Sequence, residues 1–368
     1  MANKLTTIFE QLKDNRRSLS KLHSLNDILV LAIVAVISGA DSWNDIEEYC
    51  LAKEEWLCKF LNLKNGIPSH DTFNRVISSI DSILFEKYFI EWVGTFINIT
   101  GIKEIINIDG KTIRGAKEHG KKSPIHMVSA WACNNNMVLG QIKTDEKSNE
   151  ITAIPALLAI LIIENSIITI DAMGCQKNIA SFIIEKKADY VLAVKENQKL
   201  LYQEIEEEFE HNKKVETNEH IDFGHGRIET RKCSIINNLD QFENKDKWGN
   251  LNAIIKIDSI RVFKNSTKLQ EKATRYYITS LANANAKDLQ HIIRSHWSIE
   301  NKLHWTLDVA FLEDQSRKRD ENAAQNFSLL NKIALNLLKN DKTAKVGIKG
   351  KRKKAGWDNK YLEQLISL

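Results

Sequence analysis

The sequence predicts an α/β protein built on a mixed β-sheet, and three observations support this fold class. Residues 1–100 carry apolar residues at helical spacing, whereas the chain from residue 104 alternates short apolar runs with helical segments. The order after residue 104 is three strands, a helix, a strand, a helix and a strand. The first three strands are joined by hairpins and the last two follow helical crossovers, so both strand directions are expected in one sheet with helices on its faces.

Residues 1–100 are predicted to form an all-helical N-terminal domain. Ser69, which follows the Gly66 and Pro68 break, is a suitable N-cap for the next helix. Two roles stay open for this domain, namely DNA contact through one helix of a helix-turn-helix and packing or dimerisation. The helical spacing covers four segments, 25–38, 43–61, 72–80 and 83–97.

Residues 101–212 are predicted to be the first part of a catalytic core. An apolar run from Ile105 to Ile108 indicates the first strand, and apolar runs on either side of Asn134–Asn136 indicate a hairpin. Strands are also predicted around 166–171 and 188–198, with helices at 146–164, 176–187 and 199–210.

The rest of the chain is predicted as an insertion, closing helices and a tail. Residues 213–281 alternate apolar and polar residues and indicate a β-rich insertion. Residues 282–340 close the core, with a helix from about Ala286 to Trp305, and residues 341–368 form a basic C-terminal tail. Two interpretations of that tail remain, a solvated linker or a set of phosphate contacts.

Composition excludes several classes of protein. Of 368 residues, 52 are basic and 48 acidic, so the net charge of +4 is not that of a bulk polycation and DNA binding would need local basic patches. No GxxxxGK[ST] or GxGxxG motif occurs, which argues against a nucleotide cofactor. Five scattered cysteines without a CxxC pair indicate a cytoplasmic protein, and the longest apolar run, 28–37, is too short to cross a membrane.

Three carboxylates stand out as a candidate metal site. Asp109 and Asp171 each follow an apolar strand, and Glu300 lies on a predicted helix. Mg²⁺ prefers oxygen ligands, and two such ions about 3.5–4 Å apart can hold both the attacking and the leaving oxygen of a phosphodiester. The alternative for each carboxylate is a helix cap or a surface ion pair.

Several long motifs are together similar to those of one family. The chain resembles DDE-type insertion-sequence transposases of the H-repeat-associated (ISAs-type) family over nearly its whole length. The motifs are GIPSHDTFNRV (66–76), IDGKTIRG (108–115), DEKSNEITAIPALL (145–158), TIDAMGCQK (169–177), GHGRIETR (224–231), HWSIENKLHW (296–305) and IKGKRKKAGWD (348–358).

The resemblance implies an RNase H-like core in which Asp109, Asp171 and Glu300 form the catalytic DDE triad and bind two Mg²⁺ ions, with Mn²⁺ as a substitute. It also implies an insertion ahead of the Glu helix. The expected activity is phosphodiester hydrolysis at the element's terminal repeats, followed by attack of the 3′ hydroxyl on target DNA. The expected assembly is a homodimer on double-stranded DNA at the nucleoid. Two rival functions are an RNase H-like nuclease without strand transfer and an inactive DNA-binding remnant.

The chain departs from a signature found in broader relatives around the catalytic Glu. Its tyrosine, arginine and lysine places hold Ile293, His296 and Leu307, so those phosphate-binding roles do not carry over. Lysine and arginine side chains near the predicted strand ends, on the Glu helix and in the tail are alternative phosphate contacts. The predicted DNA contacts are Lys111, Arg114, Lys195, Asn197, Arg227, Arg294, His296, Lys302, Lys351, Arg352, Lys353 and Lys354.

Aromatic and histidine residues receive weaker assignments. Trp297 and Trp305 flank Glu300 at helical spacing and are expected in the core, whereas Trp248 is the better candidate for stacking on an unpaired base. His225 lies in the GHGR turn of the insertion, where a structural role and a DNA contact are equally expected. The histidines near Glu300 are expected to orient or pack rather than to bind zinc.

Overall fold

The computed structural model describes residues 4–14, 16, 21–97, 103–117, 124–144, 150–212, 214–224, 226–264, 270–319 and 322–367. The chain divides into two compact units. The first unit comprises Met1–Ile99, Gly110–Lys147 and Glu300–Leu368, and the second comprises Thr100–Asp109 and Ser148–Ile299.

Helices and strands cover most of the described chain. The helices are α1 (Lys4–Phe9), α2 (Leu25–Ile37), α3 (Trp43–Ala52), α4 (Glu54–Leu57), α5 (His70–Ser78), α6 (Ser82–Gly94), α7 (Glu150–Ile160), α8 (Lys177–Glu185), α9 (Lys199–His211), α10 (Ala286–Ser295), α11 (Trp297–Ile299), α12 (Trp305–Phe311), α13 (Ala323–Asn340), α14 (Ile348–Trp357) and α15 (Asn359–Ile366). The strands are β1 (Ile105–Lys117), β2 (Pro124–Ala132), β3 (Met137–Lys143), β4 (Ile167–Ile170), β5 (Asp189–Val194), β6 (Glu216–Gly224), β7 (Arg227–Ile236), β8 (Ala253–Phe263) and β9 (Glu271–Thr279).

The sheet is mixed, as the sequence predicts. Its strand order is β3-β2-β1-β4-β5-β9-β8-β7-β6, and the first five strands have the RNase H-like order. β2 and β3 pair antiparallel, whereas β1 pairs parallel with β4 and β4 pairs parallel with β5. The two parallel pairings follow from the helical connections, because a strand that returns parallel to its neighbour needs a crossover.

The predicted β-rich insertion supplies four strands, β6 to β9, and these strands extend the core sheet. β9 pairs antiparallel with β5 through Val191–Val194 and Tyr276–Thr279, and β8, β7 and β6 follow in antiparallel order. Val191 and Leu192 of β5 thereby have register partners on both sides of that strand. The insertion is therefore continuous with the second unit's sheet.

Helix α13 organises the first unit. Buried residues make up 15 of its 18 positions, and its buried asparagines bond other elements. Asn326 donates to the carbonyls of Ile77 and Ile80 at 2.7 and 2.9 Å, which satisfies the C-terminal end of α5. Asn336 pairs with the main chain of Val138 in β3 through one accepted and one donated hydrogen bond.

The N-terminal helices are bonded into this unit as well. Glu86 of α6 is buried and accepts a 2.7 Å hydrogen bond from the main-chain N–H of Gln141 in β3. Burial raises the pKa of Glu86 to about 8. The helices of residues 1–99 thus share one compact unit with β2, β3 and the C-terminal helices.

The basic tail forms two packed helices, and this changes the assignment of two residues. Lys351 is buried and donates to the carbonyls of Leu338 and Asp341 at 2.9 and 2.6 Å. Arg352 is buried too, and its guanidinium bonds the Val36 carbonyl at the end of α2 and the Asp41 carboxylate, each at 2.8 Å. Lys351 and Arg352 were predicted to contact DNA, and in the structure both cations bond buried main-chain acceptors.

The most apolar helix, α2, lies in the core of the first unit, where nearly all its residues are buried. Ser24 caps its N-terminus by accepting from the N–H of Asp27 at 3.0 Å. Across the part of the chain that the structure describes, no helix combines the length and the apolar character needed to cross a membrane.

Replacement of Arg352 by Ala is expected to destabilise the protein by about 3–5 kcal/mol, because it leaves Asp41 and the carbonyls at the end of α2 without their buried donor. Arg352→Lys should recover little of this, since one ammonium cannot reach the same set of acceptors. Thermal and denaturant unfolding would measure the loss. Lys353→Ala, at an exposed neighbour, is the matched control, and an equal loss in that variant would contradict the assignment.

Candidate active site

Asp109 and Asp171 lie at the same edge of the second unit's sheet. The last register pair of β1 and β4 is Ile108 with Ile170, and each aspartate is the next residue on its chain. Neighbouring strands lie about 4.8 Å apart, so the parallel pairing brings the two carboxylates close together. Both side chains are partly exposed, whereas the isoleucines before them are buried.

The turn after β4 fixes the carboxylate of Asp171. Its Oδ1 accepts hydrogen bonds from the main-chain N–H groups of Met173 at 3.0 Å and Gly174 at 3.4 Å. A Cβ atom at Gly174 would collide with the Ile170 side chain and would approach Ile154 Cδ1 to 2.9 Å. Glycine is therefore needed for the backbone to pass close enough to β4 to make this turn.

The electrostatic surroundings of Asp171 favour its neutral form. Partial burial is the main cause of its raised pKa, and the negative charges of Glu150 and Asp109 raise the pKa further. The N–H groups of Gly174 and Met173 act in the opposite direction without cancelling the effect. A cation bound between the carboxylates would relieve this repulsion.

Two residues after β5 hold the loop that carries Asp171. Asn197 donates to the carbonyl of Ala172 at 2.8 Å, and Gln198 donates to the carbonyl of Cys175 at 2.9 Å. Asn197 was predicted to contact DNA, and in the structure its side-chain amide instead bonds the Asp171 loop. Lys195, predicted from the same strand end, is exposed.

Glu300 belongs to the first unit and is exposed. The sequence predicts one helix from Ala286 to Trp305, but the structure ends α10 at Ser295 and places a π-helical turn at Glu300–His304. π-helical turns are rare in proteins, and those that are found frequently lie at functional sites. A change of helical hydrogen bonding of this kind leaves no mark in the apolar periodicity, so the sequence could not predict it.

The side chains present fit a divalent metal in part. Two carboxylates with mutual repulsion are suitable oxygen ligands for such an ion. Within the residues that the structure describes, however, no group of three or more His, Cys, Asp or Glu side chains is arranged to hold a metal ion. Asp109 and Asp171 are the two carboxylates that the strand register brings to one edge of the sheet.

Lys111, two residues beyond Asp109 and predicted to contact DNA, has its cation engaged within the first unit. Its ammonium group pairs with Glu313 at 2.7 Å, with Asp308 and, at 3.8 Å, with Asp314. Its side chain is 11% exposed. Three carboxylates thus surround the charge of Lys111 in the structure.

Buried Glu313 depends on this pairing. Burial acts to raise the pKa of Glu313, but the charges of Lys332 and Lys111 outweigh burial and lower the pKa below the ordinary value. Ser328 of α13 also donates to Glu313 at 2.8 Å. The strand that carries Lys111, the turn at Glu313 and α13 are thus tied together through one buried carboxylate.

The other predicted DNA contacts differ in how much of their charge is available. Arg114 is 83% exposed and pairs weakly with Asp314 at 3.4 Å, and Lys302 and Lys353 are exposed. Arg227 pairs with Glu229 at 3.7 Å and Arg294 with Asp222 at 2.8 Å. Lys354 lies over the ring of Tyr361 at 4.3 Å.

The tryptophan predictions are reversed in the structure. Trp248, predicted to stack on a base, is 2% exposed and belongs to the core. Trp297 and Trp305, predicted to be core, are 51% and 62% exposed. The guanidinium of Arg275 lies 5.8 Å from the Trp297 ring, an arrangement that nothing in the sequence spacing indicated. His225 lies outside the described residues.

Comparison with known proteins agrees with the sequence motifs. The chain matches the family described as "Transposase DDE domain" over residues 100–337, and the family described as "DDE_Tnp_1-associated" over residues 6–93. YncI of Escherichia coli O157:H7, provisionally named a transposase, is 48% identical over 351 residues, which cover 94% of this chain and 90% of YncI. The H repeat-associated YhhI of Escherichia coli strain K12, also provisionally named a transposase, is 42% identical over 364 residues, covering 96% of this chain and 95% of YhhI.

A solved structure of the piggyBac transposase synaptic complex with hairpin DNA aligns over 98% of this chain and 77% of that chain, with a TM-score of 0.47 and 10% identity. Because that score is below 0.5, the fold assignment rests on the strand order. The fold and the paired aspartates define an RNase H-like protein with an acidic strand edge. The chain belongs to the DDE transposase family, among the H repeat-associated transposases.

Replacement of Lys111 by Met is expected to lower stability by about 3–5 kcal/mol, because buried Glu313 loses a counterion. Arg114→Met, three residues further along β1, is the matched control and should cost less than about 1 kcal/mol, since Arg114 is exposed. Denaturant unfolding would compare the two variants. Weaker DNA binding in Lys111→Met with unchanged stability would contradict a structural role for Lys111.

Replacement of Asp171 by Asn is expected to raise the melting temperature at neutral pH. The pKa of Asp171 is raised in the folded protein, so its ionised form destabilises the fold, fully so above that raised pKa. The gain should shrink as the pH falls toward the ordinary value of 3.8, where the unfolded side chain also takes up a proton. Differential scanning calorimetry across this pH range would measure the trend, with Asp246→Asn, at an exposed site, as the matched control.

Proposed function

We propose that this protein cleaves phosphodiester bonds at the ends of its own insertion sequence and joins the freed 3′ hydroxyl to target DNA. Membership in the DDE transposase family supports the transposition role. The observation that carries the chemistry is the adjacency of Asp109 and Asp171, each one residue beyond the last register pair of the parallel strands β1 and β4, together with the raised pKa of Asp171.

The scissile phosphate is negatively charged, and two carboxylates would repel it. A cation bound by the carboxylates is therefore needed to stabilise the charge on the phosphate. The family generally uses divalent metal ions. When bound, Mg²⁺, or Mn²⁺ in its place, would lower the pKa of an attacking water or hydroxyl and stabilise the departing oxygen. In this proposal Asp109, Asp171 and Glu300 are the ligands, and two ions are held.

The protein's own groups supply orientation. The two N–H groups after β4 hold Asp171 Oδ1 and so direct the carboxylate, while Asn197 and Gln198 keep the loop in place. Exposed Arg114, Lys195, Lys302 and Lys353 are the proposed phosphate contacts, joined by Arg227, Arg294 and Lys354 once their present partners are exchanged for DNA. The proposed substrate is double-stranded DNA with terminal repeats, bound by a homodimer in the cytoplasm at the nucleoid.

Metal-dependent nicking tests the proposal. Purified protein is incubated with DNA that carries the element's terminal repeats, in Mg²⁺, in Mn²⁺ and in EDTA. Cleavage at the repeat boundary is expected in either metal and not in EDTA, and Asp109→Asn or Asp171→Asn should lower the rate by at least about 10–100-fold, since each removes a charged metal ligand.

Asp246→Asn is the matched control and should cleave at the wild-type rate. Repeat binding without cleavage in either metal would favour an inactive DNA-binding protein. Cleavage without covalent joining of a labelled repeat end to a target plasmid would favour a nuclease that lacks strand transfer. Unchanged cleavage in Asp109→Asn would overturn the proposed metal site.

A further inference from the structure

A chain of buried polar side chains lies directly behind the two aspartates of the second unit. Asn107 precedes Asp109 by two residues, and Thr169 precedes Asp171 by two residues, so each lies on the same face of its strand as the aspartate that follows. Asn107 and Thr169 are register partners and are 0% and 2% exposed. Their neighbours on the opposite face, Ile106, Ile108, Ile168 and Ile170, are all buried apolar residues.

Asparagine is unfavourable in the middle of a buried strand, and a buried amide is costly unless all its bonds are made. Asn107 meets this requirement through both ends of its side chain. Its Nδ2 donates to the Ser295 carbonyl at 2.7 Å and to Ser298 Oγ at 3.1 Å, and its Oδ1 accepts from Thr169 Oγ1 at 2.8 Å. The two strands and the end of helix α10 are therefore joined through one side chain.

The direction of each hydrogen bond in this chain is determined. A carbonyl oxygen can only accept, so the Ser295 carbonyl requires Nδ2 of Asn107 to face it and leaves Oδ1 toward Thr169. Thr169 then donates its single hydroxyl proton to Asn107. His296 Nδ1 lies 2.8 Å from the same hydroxyl oxygen and must be the donor in that contact. The imidazole of His296 is thereby held with a proton on Nδ1.

The result is a closed loop of contacts, because Ser295 and His296 are consecutive residues. One end of the loop is the Ser295 carbonyl and the other is the His296 ring, with Asn107 and Thr169 between them. Such linked bonds in a buried site strengthen one another and hold a single geometry. Glu300 is the fourth residue after His296 along the chain.

We propose that Asn107, Thr169 and His296 form a positioning relay, which fixes β1 against β4 and thereby sets the geometry of Asp109 and Asp171 for a divalent metal. The inference rests on the proposed function for its purpose, since it concerns the same two carboxylates. It assigns His296 to orientation through Nδ1, whereas the sequence suggested a direct DNA contact. The three residues are positioning residues, because they act through the aspartates.

Mn²⁺ binding to the full-length protein without DNA, measured by the loss of the free-ion signal in electron paramagnetic resonance, tests the relay without relying on catalysis. Thr169→Val removes the hydroxyl with little change of shape, and Thr169→Ser keeps it. His296→Asn keeps a donor near the Nδ1 position, whereas His296→Gln places its amide near the Nε2 position. Residues that orient metal ligands commonly contribute about 10–100-fold to metal affinity.

Thr169→Val and His296→Gln are expected to weaken Mn²⁺ binding about tenfold or more, while Thr169→Ser and His296→Asn stay within about twofold of wild type. Thr279→Val is the matched control. Thr279 is equally buried in the same unit and donates to the Tyr190 carbonyl at 2.7 Å, so its loss reports a general effect of a missing buried hydrogen bond. Thermal unfolding of each variant is measured in parallel.

The relay is overturned if Thr169→Val binds Mn²⁺ as wild type does, if Thr279→Val weakens binding equally, or if His296→Gln binds better than His296→Asn. Should Thr169→Val fail to fold, the two histidine variants decide the question. If the wild-type protein binds Mn²⁺ without cleaving DNA, the proposed function fails and the relay is still judged by the binding comparison. If wild type binds no Mn²⁺, both proposals fail.

Discussion

The parallel pairing of β1 with β4 is the constraint on which the site depends. It places Asp109 and Asp171 one step beyond the last paired isoleucines, on chain segments that are more than 60 residues apart in sequence. The two carboxylates lie on neighbouring strands and repel each other, and partial burial adds to the cost of the charge on Asp171. The apolar strands, the tight turn at Gly174 and the buried relay offset this cost and keep both acids at one edge. An arrangement that is unfavourable without a cation is one that a cation would stabilise.

Strand and helix order could be predicted because each element carries its own periodicity. The apolar residues around Asn107 lead to Asp109, and the next parallel strand leads to Asp171 in the same way, so the sequence predicts both strands, although β1 continues past Asp109 to Lys117. Boundaries were less accurate where packing decides them. The segment predicted as one helix over 43–61 divides at Lys53 into α3 and α4, and the Glu300 helix contains a π-helical turn that apolar spacing cannot reveal.

Charged and aromatic residues were harder to assign, because their burial depends on elements distant in sequence. Arg352 lies in a run of lysines that is typical of a solvated tail, yet it bonds Val36 and Asp41, more than 300 residues away. Trp248 and Trp297 were assigned to the wrong environments for the same reason. Asn107 carried a signal that was overlooked. A polar amide inside an apolar strand that leads to a candidate metal-binding carboxylate is locally unfavourable, and such conflicts often mark residues with a function.

The continuity of the insertion with the core sheet has a mechanical consequence. A domain inserted through two flexible linkers can swing, but β9 is hydrogen-bonded to β5 along four residues, and β8, β7 and β6 continue the same ladder. Rotation of the β6–β7 hairpin as a rigid flap would require those ladder bonds to break. The β6–β7 hairpin, which carries Arg227, is therefore held at a fixed distance from β4, with β5, β9 and β8 between them. The sheet would therefore fix the distance between any DNA bound at this hairpin and the acidic edge that carries Asp109 and Asp171.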